Sequence, residues 1–454
     1  MTARPKQIIL AAHFPGVNNH TVWQDPNAGS QIDFSSFVHL AQTAERGLFD
    51  FFFLAEGLRL REQRGRLYDL DVVGRPDTFT VLGALAAVTT RLGLAGTINA
   101  TFNEPYEIAR QFSTLDHLSG GRAAWNVVTS SDAFTGENFR RGGYLDHSQR
   151  YERAAEFVRT ARELWDSWAQ DALVADPSAG VFVSEGDAGA FEHAGVQFDI
   201  AGHFTVPRSP QGHPVIIQAG DSDAGRGFAA ATADAVFTRH GTLEEGRAFY
   251  ADVKSKAAAY GRSPDDVKIL PGVSFVLGDT ESEAHERTRH IRRQQVSPQT
   301  AIALLEQLRN RDLSEYDPDG PLPADDPRVS DDTIIKGRAR QHDDRVETAR
   351  RWRAVAEEKK LGIRDLVIEV TDRQRFVGTP ARVAEELDTF VQSDASDGFI
   401  LVPAGLDEFV DKVVPLLQER GVFRTEYTAS TLRGHLGLGP PRLSTPSTGV
   451  AVSA

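Results

Sequence analysis

Short, almost wholly apolar runs recur along this chain, each followed by a longer stretch with helical periodicity. That alternation restricts the possible folds more than any other feature. The runs are Gln7–Phe14, Phe49–Leu54, Leu92–Ala100, Ala123–Val128, Val215–Ala219, Ala235–Thr238, Ile269–Leu277 and Gly398–Val402. Apolar runs without polar alternation predict strands buried on both faces. Helices between them predict parallel pairing through right-handed crossovers. Asp33 is placed to cap one such helix to Arg46, with Gly47 as its stop. Others are expected over Pro76–Val88, Glu104–Leu118 and His147 to about Trp168. A doubly wound open sheet and a closed (β/α)₈ barrel both satisfy this string.

The 454 residues suit several average domains or one barrel with insertions. Between 175 and 206 the pattern shifts to short segments rich in Gly, Asp and Ser, which predicts a small insertion, a hairpin. Residues 279–362 are charged and helix-like, and are broken by Pro318, Pro321 and Pro323. They follow the seventh strand, so they leave from the face where its C-terminal end lies. A mobile lid and a static helical excursion both fit. Residues 437–454 are rich in Gly, Pro, Ser and Thr and read as a disordered tail, leaving 1–436 as one domain.

The net charge of −14 disfavours nucleic acid and anionic membrane as partners. There is no cysteine, hence no disulfide and no thiolate chemistry. No apolar run approaches the ~18 residues of a membrane span, and the N-terminus lacks a signal-peptide core. The expected compartment is the cytoplasm.

Polar residues gather where the predicted strands end, the edge that binds ligands in parallel α/β proteins. Glu56 closes the second run, within reach of Arg59 and Arg61 for a salt bridge. Asn99 and Thr101 close the third, and strand alternation puts them on one face. His147 and Tyr151 are spaced to share one face at the mouth of a helix. A metal there would need further ligands that this spacing does not supply. Ser222 lies in the small-residue turn AGDSDAGRG with Arg226. Such a turn is either a helix cap or a cradle for a monophosphate. FTRH places Arg239 and His240 after the sixth run, and His20 and Trp23 lie in the loop after the first. There is no GxSxG elbow, no Walker loop and no GxGxxG fingerprint.

The stretch LDHLSGGRAAWNVVTSSD with HSQRYERAAEF resembles the bacterial-luciferase-like flavin monooxygenases. The resemblance is to the branch of nitrilotriacetate monooxygenase, dibenzothiophene sulfone monooxygenase and pristinamycin IIA synthase. It runs from the first strand to VVPLLQERGVFRTEYTASTLRGHLGL. It implies a closed (β/α)₈ barrel that uses reduced FMN and O₂ to oxygenate a small organic molecule through a flavin hydroperoxide. A separate NAD(P)H:flavin reductase would supply the reduced flavin, and the chain would assemble as a homo-oligomer, a dimer or tetramer. The resemblance assigns Ser222 to the flavin phosphate, with His147 and Tyr151 nearby. Glu56 stands where relatives carry an aspartate at the flavin, and Asn99 or Thr101 would face its ring. His20, Trp23, Arg239 and His240 become substrate-pocket candidates, Arg239 also as a counter-charge to reduced flavin. A deazaflavin-dependent dehydrogenase on the same fold and a non-catalytic flavin-binding protein are the alternatives. The loop VPAGLDEF is shorter than in relatives, which implies a different substrate shape.

Overall fold

The computed structural model describes residues 5–15, 29–67, 76–130, 133–139, 147–184, 186–325, 327, 344–372, 375–403 and 405–441. Eight parallel strands close on themselves. In chain order they are β1 (Ile9–His13), β2 (Phe51–Leu54), β3 (Gly93–Asn99), β4 (Ala123–Val128), β5 (Val215–Ala219), β6 (Ala235–Thr238), β7 (Lys268–Leu277) and β8 (Gly398–Leu401). Each pairs with its sequence neighbour up to β7. β8 lies between β7 and β1, and the β6–β7 register Ala235↔Lys268 completes the ring. The open-sheet alternative is thereby excluded, and the fold is a (β/α)₈ barrel.

The two faces of each strand explain the unbroken apolar runs. Ile9, Ala11, Phe51, Phe53, Ala95, Ala124, Val215, Ile217, Leu270 and Ile400 pack together inside the barrel. The alternating residues, including Leu10, Phe52, Leu94, Trp125 and Phe399, pack outward under the helices. Neither face meets water, so neither needs polar residues. Helices α1 (Phe34–Arg46), α2 (Thr78–Ala86), α3 (Pro105–Ser119), α4 (His147–Asp166), α5 (Asp223–Thr232) and α6 (Leu243–Ala259) form the outer layer. Asp33 is the N-cap residue of α1 but makes no side-chain cap bond.

The insertion near 175–206 is two hairpins rather than one: Leu173–Asp176 with Val181–Val183, and Ala190–Ala194 with Asp199–His203. The helical excursion contains α7 (Glu281–Gln295), α8 (Pro298–Arg309), α9 (Arg345–Lys359) and α10 (Ile363–Val370). It has its own core of Val296, Ala301, Leu305, Leu313, Ile363 and Val367, so its packing reaches past 362. α8 touches the short strand Glu62–Gln63, and Arg64 pairs with Asp312 at 3.6 Å. The excursion therefore leans on the loop after β2. Strand β7 outruns the barrel, and its last four residues pair with Arg375–Gly378, a ninth strand absent from the sequence reading.

The opposite, N-terminal end of the barrel is plugged by the chain's own C-terminal region. Leu432 and Leu436 join the inner cluster around a short helix, Leu432–His435, and Leu438 packs against it. The segment expected to be disordered from Gly437 thus begins as packed structure, because apolar side chains are interspersed among its glycines and prolines. Residues 442–454 lie outside the described residues. Among the described residues, no helix is long and apolar enough to cross a membrane.

Candidate active site

The C-terminal rim of the barrel is built from strand ends whose inward side chains change from apolar to polar in one step. On β3 the inward series is Ala95, Thr97, Asn99, and on β4 it is Ala124, Asn126. Asn126 donates from Nδ2 to Thr97 Oγ1 at 2.9 Å. Its Oδ1 is buried with no partner among the described residues, so an acceptor is left for a ligand N–H. Below this layer His13 stacks on Phe53 at 5.3 Å, and Phe53 lies 5.5 Å from Phe237. Gly272 of β7 makes room for the Phe237 ring, since a Cβ there would land on it. The mouth thus has an aromatic floor and a polar edge.

Glu56 lies two residues beyond β2, and its Oε2 accepts from Asn99 N at 3.2 Å and Asn99 Nδ2 at 3.1 Å. The salt bridge to Arg59 or Arg61 is not formed. Asn99 provides uncharged donors instead, because β2 and β3 are adjacent and place the two ends together. Burial pushes the Glu56 carboxyl up to about 7; the Asn99 bonds work against burial and nearby Asp77 adds to it. Asn99 Oδ1 accepts from Phe102 N at 2.7 Å, which fixes the amide orientation. β3 ends at Asn99, so alternation does not extend to Thr101. The Thr101 hydroxyl accepts from Ser130 N at 3.1 Å and ties the loops after β3 and β4 together.

Ser222 is the N-cap of α5, its hydroxyl accepting from Gly225 N at 3.1 Å. It also lies 3.5 Å from the Tyr151 hydroxyl. The cap reading of the sequence is therefore correct, and the same hydroxyl is exposed at the rim where an anion would meet the helix N-terminus. His147 opens α4, but its side chain is outside the described residues, as are His20 and Trp23 entirely. Arg226 pairs with Asp252 at 3.0 Å.

Beyond β6, Arg239 is exposed and His240 half-buried. Both line a cavity of about 570 Å³ with Asp221, Arg226, Phe249 and Gly272. Both ring nitrogens of His240 are buried without a partner among the described residues. Burial holds its pKa below the usual imidazole range despite Asp221 and Glu245 nearby, so the ring is neutral at pH 7. The sequence motifs do not single out His13, Thr97 or Phe53, and give Phe237 of FTRH no role of its own. Their signal was parity: each occupies an inward position near the end of its strand.

Fold and rim define a barrel enzyme whose site lies on the loops after the strands, with a hydroxyl-lined helix N-terminus at one edge. The chain belongs to the luciferase-like monooxygenases, whose family model matches residues 17–397. It is 41% identical over 454 residues to nitrilotriacetate monooxygenase component A of Aminobacter aminovorans, covering 96% of each chain. It is 40% identical over 452 residues to N-acetyl-S-(2-succino)cysteine monooxygenase of Bacillus subtilis (strain 168), covering 97% of this chain and 99% of the relative. The crystal structure of riboflavin lyase (RcaE) with modified FMN and riboflavin superposes with a TM-score of 0.80, at 29% identity, over 97% of this chain and 98% of that one. The protein is an oxidoreductase of the monooxygenase kind.

Proposed function

We propose that this protein is the oxygenase component of a two-component system. It uses reduced FMN and O₂ to put one oxygen atom into a small organic substrate, with the flavin reduced elsewhere by an NAD(P)H:flavin reductase. One observation carries the reading: the Tyr151 and Ser222 hydroxyls converge, 3.5 Å apart, on the N-terminus of α5. Two hydroxyls and first-turn N–H groups suit the terminal monophosphate of FMN. The residues present fit the rest of the cofactor. The aromatic floor of His13, Phe53 and Phe237 suits a flat ring, and the spare Asn126 Oδ1 suits a ring N–H.

When bound, reduced FMN supplies the electrons that divide O₂ between substrate and water. The chain's own residues position and shield. Ser222 and Tyr151 hold the phosphate. Asn126 and the Glu56–Asn99 pair orient the ring edge. Arg239 places positive charge near a reduced, anionic ring, and the apolar floor keeps water out. The missing GxGxxG fingerprint fits a chain that does not handle NAD(P)H itself. The name of one relative, a component A, fits a second component.

The test is an anaerobic titration with FMN, riboflavin and a deazaflavin cofactor, followed by turnover with and without a reductase. FMN should bind at least tenfold tighter than riboflavin, through its phosphate. Equal affinity for FMN and riboflavin would remove the anchor, tighter binding of the deazaflavin would favour the dehydrogenase, and rapid NADH consumption by the protein with FMN alone would exclude a separate reductase.

A further inference from the structure

We infer that the N-terminal end of the barrel holds a second ligand site, for a small oxyanion, in the recess that Arg162, Arg262 and Arg433 share. The recess is a cavity of about 220 Å³ at the starts of β5 and β6, lined also by His213, Asp234 and Tyr260. Gly439, Pro440 and Pro441 form one wall, so the C-terminal plug shapes it.

The charges around it do not balance. Asp234 is the carboxylate at its centre. Burial pushes this carboxyl up, but the Arg433 and Arg162 guanidiniums and the Ile216 N–H bring it net below its usual value, so it is ionised. Its oxygens are already taken: Oδ2 accepts from Ile216 N at 2.9 Å and Arg433 Nη2 at 3.0 Å, and Oδ1 from Arg433 Nη1 at 3.4 Å. Arg433 is buried, and its Nε has no partner among the described residues. Arg162 makes one hydrogen bond, from Nη2 to Thr232 O at 2.6 Å, and no ion pair among the described residues. Burial, and then Arg433, lower its pKa, although Asp234 and Asp166 oppose them; Asp166 is itself paired with Arg208 at 2.8 Å. Arg262 donates to the carbonyls of Ala230, Ala233 and Asp266. The second carboxylate lining the recess, Asp266, is turned to Ser263 N at 2.9 Å. Neighbouring His213 is held by Asp166 at 2.7 Å, and burial lowers its pKa, so it adds no charge. Three guanidiniums and two carboxylates thus line the recess, Arg433 and Asp234 buried and Arg162, Arg262 and Asp266 partly so. Excess charge in such a place is costly until a counter-ion meets it. Guanidinium forks match an oxyanion in shape as well as charge.

The recess and the rim lie at opposite ends of the same two helices. Tyr151 and Ser222 stand at the starts of α4 and α5, while Arg162 and Thr232 stand near their ends. Tyr151 and Arg162 are eleven positions apart on α4, about 16 Å at the helical rise. Binding at one end is therefore separable from binding at the other by mutation.

The probe is inorganic phosphate, followed by thermal unfolding and by calorimetric titration of the full chain, against chloride at matched ionic strength. The expected result is a saturable rise of a few degrees in the unfolding midpoint. It should persist in a Ser222→Ala/Tyr151→Phe double variant and disappear in Arg162→Met. Arg162→Lys keeps the charge without the fork and should bind several-fold more weakly. The inference is overturned if the rise vanishes in the rim variant and survives in Arg162→Met. It is equally overturned if chloride gives the same unsaturating response, the signature of an adventitious ion only. Should Arg162→Met not fold, unchanged affinity in Arg162→Lys also overturns it.

Discussion

A single oxygen of Glu56 accepts two hydrogen bonds from one residue, Asn99, through its backbone N–H and its side-chain amide. Neither donor is charged, so the pair cannot neutralise the carboxylate. Desolvation wins, and the Glu56 carboxyl sits at about 7 instead of 4.5. The folded state binds the proton more tightly than the unfolded chain does. Its contribution to stability is complete below pH 4.5 and is lost as pH rises to about 7. Glu56→Gln should match the parent at pH 4.5 and be more stable at pH 8. The gain is at most about 3 kcal/mol, and less where water reaches the rim. Urea unfolding of both proteins across this window measures it. A constant difference at all pH values would mean that the carboxyl is not shifted.

The Ser222 hydroxyl caps α5 and is proposed to hold the flavin phosphate, and mutation separates the two. Ser222→Ala removes the N-cap, costing about 1 kcal/mol of stability, as well as the proposed phosphate contact. Tyr151→Phe leaves the cap intact. Each lost hydrogen bond to a charged group is worth about 1.5–3 kcal/mol, so FMN affinity should fall at least tenfold in both. Only Ser222→Ala should also lower the melting midpoint without flavin. Calorimetric titration and thermal unfolding check the two effects independently, and normal FMN affinity in both variants would reject the anchor.

What was legible in the sequence depended on burial. FFFL, AAWNVV and VIIQA lie between the inner and outer clusters, so their composition carries the strand signal unmixed. RFVG, the ninth strand, has only alternate buried positions and four residues, too few to show a period. The first hairpin exposes Leu173, Val174, Val181 and Phe182, so it shows no alternation of burial at all. At the rim, residue type placed Ser222 and Tyr151 at helix starts and Asn99 at a strand end, and only the family resemblance gave them a flavin role. The partner of Glu56 was not legible, because it depends on β2 and β3 lying side by side, with Leu54 level with Gly96. Residue type within one segment cannot report that register.

Closure of the barrel depends on Gly398, the first residue of β8. A Cβ at this position would land on the backbone of Ile9 in the adjoining β1, with Ile9 O nearest. Backbone cannot rotate away as a side chain can, so β1 and β8 must separate. Gly398→Ala should cost about 3 kcal/mol, at the upper end of overpacking penalties. A control is Gly83→Ala on α2, where a Cβ meets nothing within 4 Å and helix propensity favours alanine. Denaturant midpoints of the two variants should move in opposite directions. Equal midpoints for Gly398→Ala and the parent would show that the β1–β8 contact is slack.

The helical excursion after β7 should close over the site when flavin and substrate are both bound. It leaves from the catalytic end of β7, and α8 rests on the loop that follows β2 and Glu56. Its own core argues that it moves as a body rather than unravelling. The loop at Asp317–Gly320 is fastened to the start of α10, with Ile363 N donating to Gly320 O at 2.9 Å and Arg364 N to Pro318 O at 2.8 Å. Just beyond it Leu322 packs against the excursion's core between Pro321 and Pro323. Hydrogen exchange over 317–325 should therefore slow in the presence of both ligands and not with flavin alone. Replacing Pro321 and Pro323 with Gly should raise the peroxide released per O₂ consumed, because a looser cover admits water. FMN affinity should stay unchanged, since Ser222 and Tyr151 lie on other elements. Identical exchange in all states would make the excursion a static support. A joint loss of affinity and coupling in the Pro variants would mean that it braces the barrel rather than gating it.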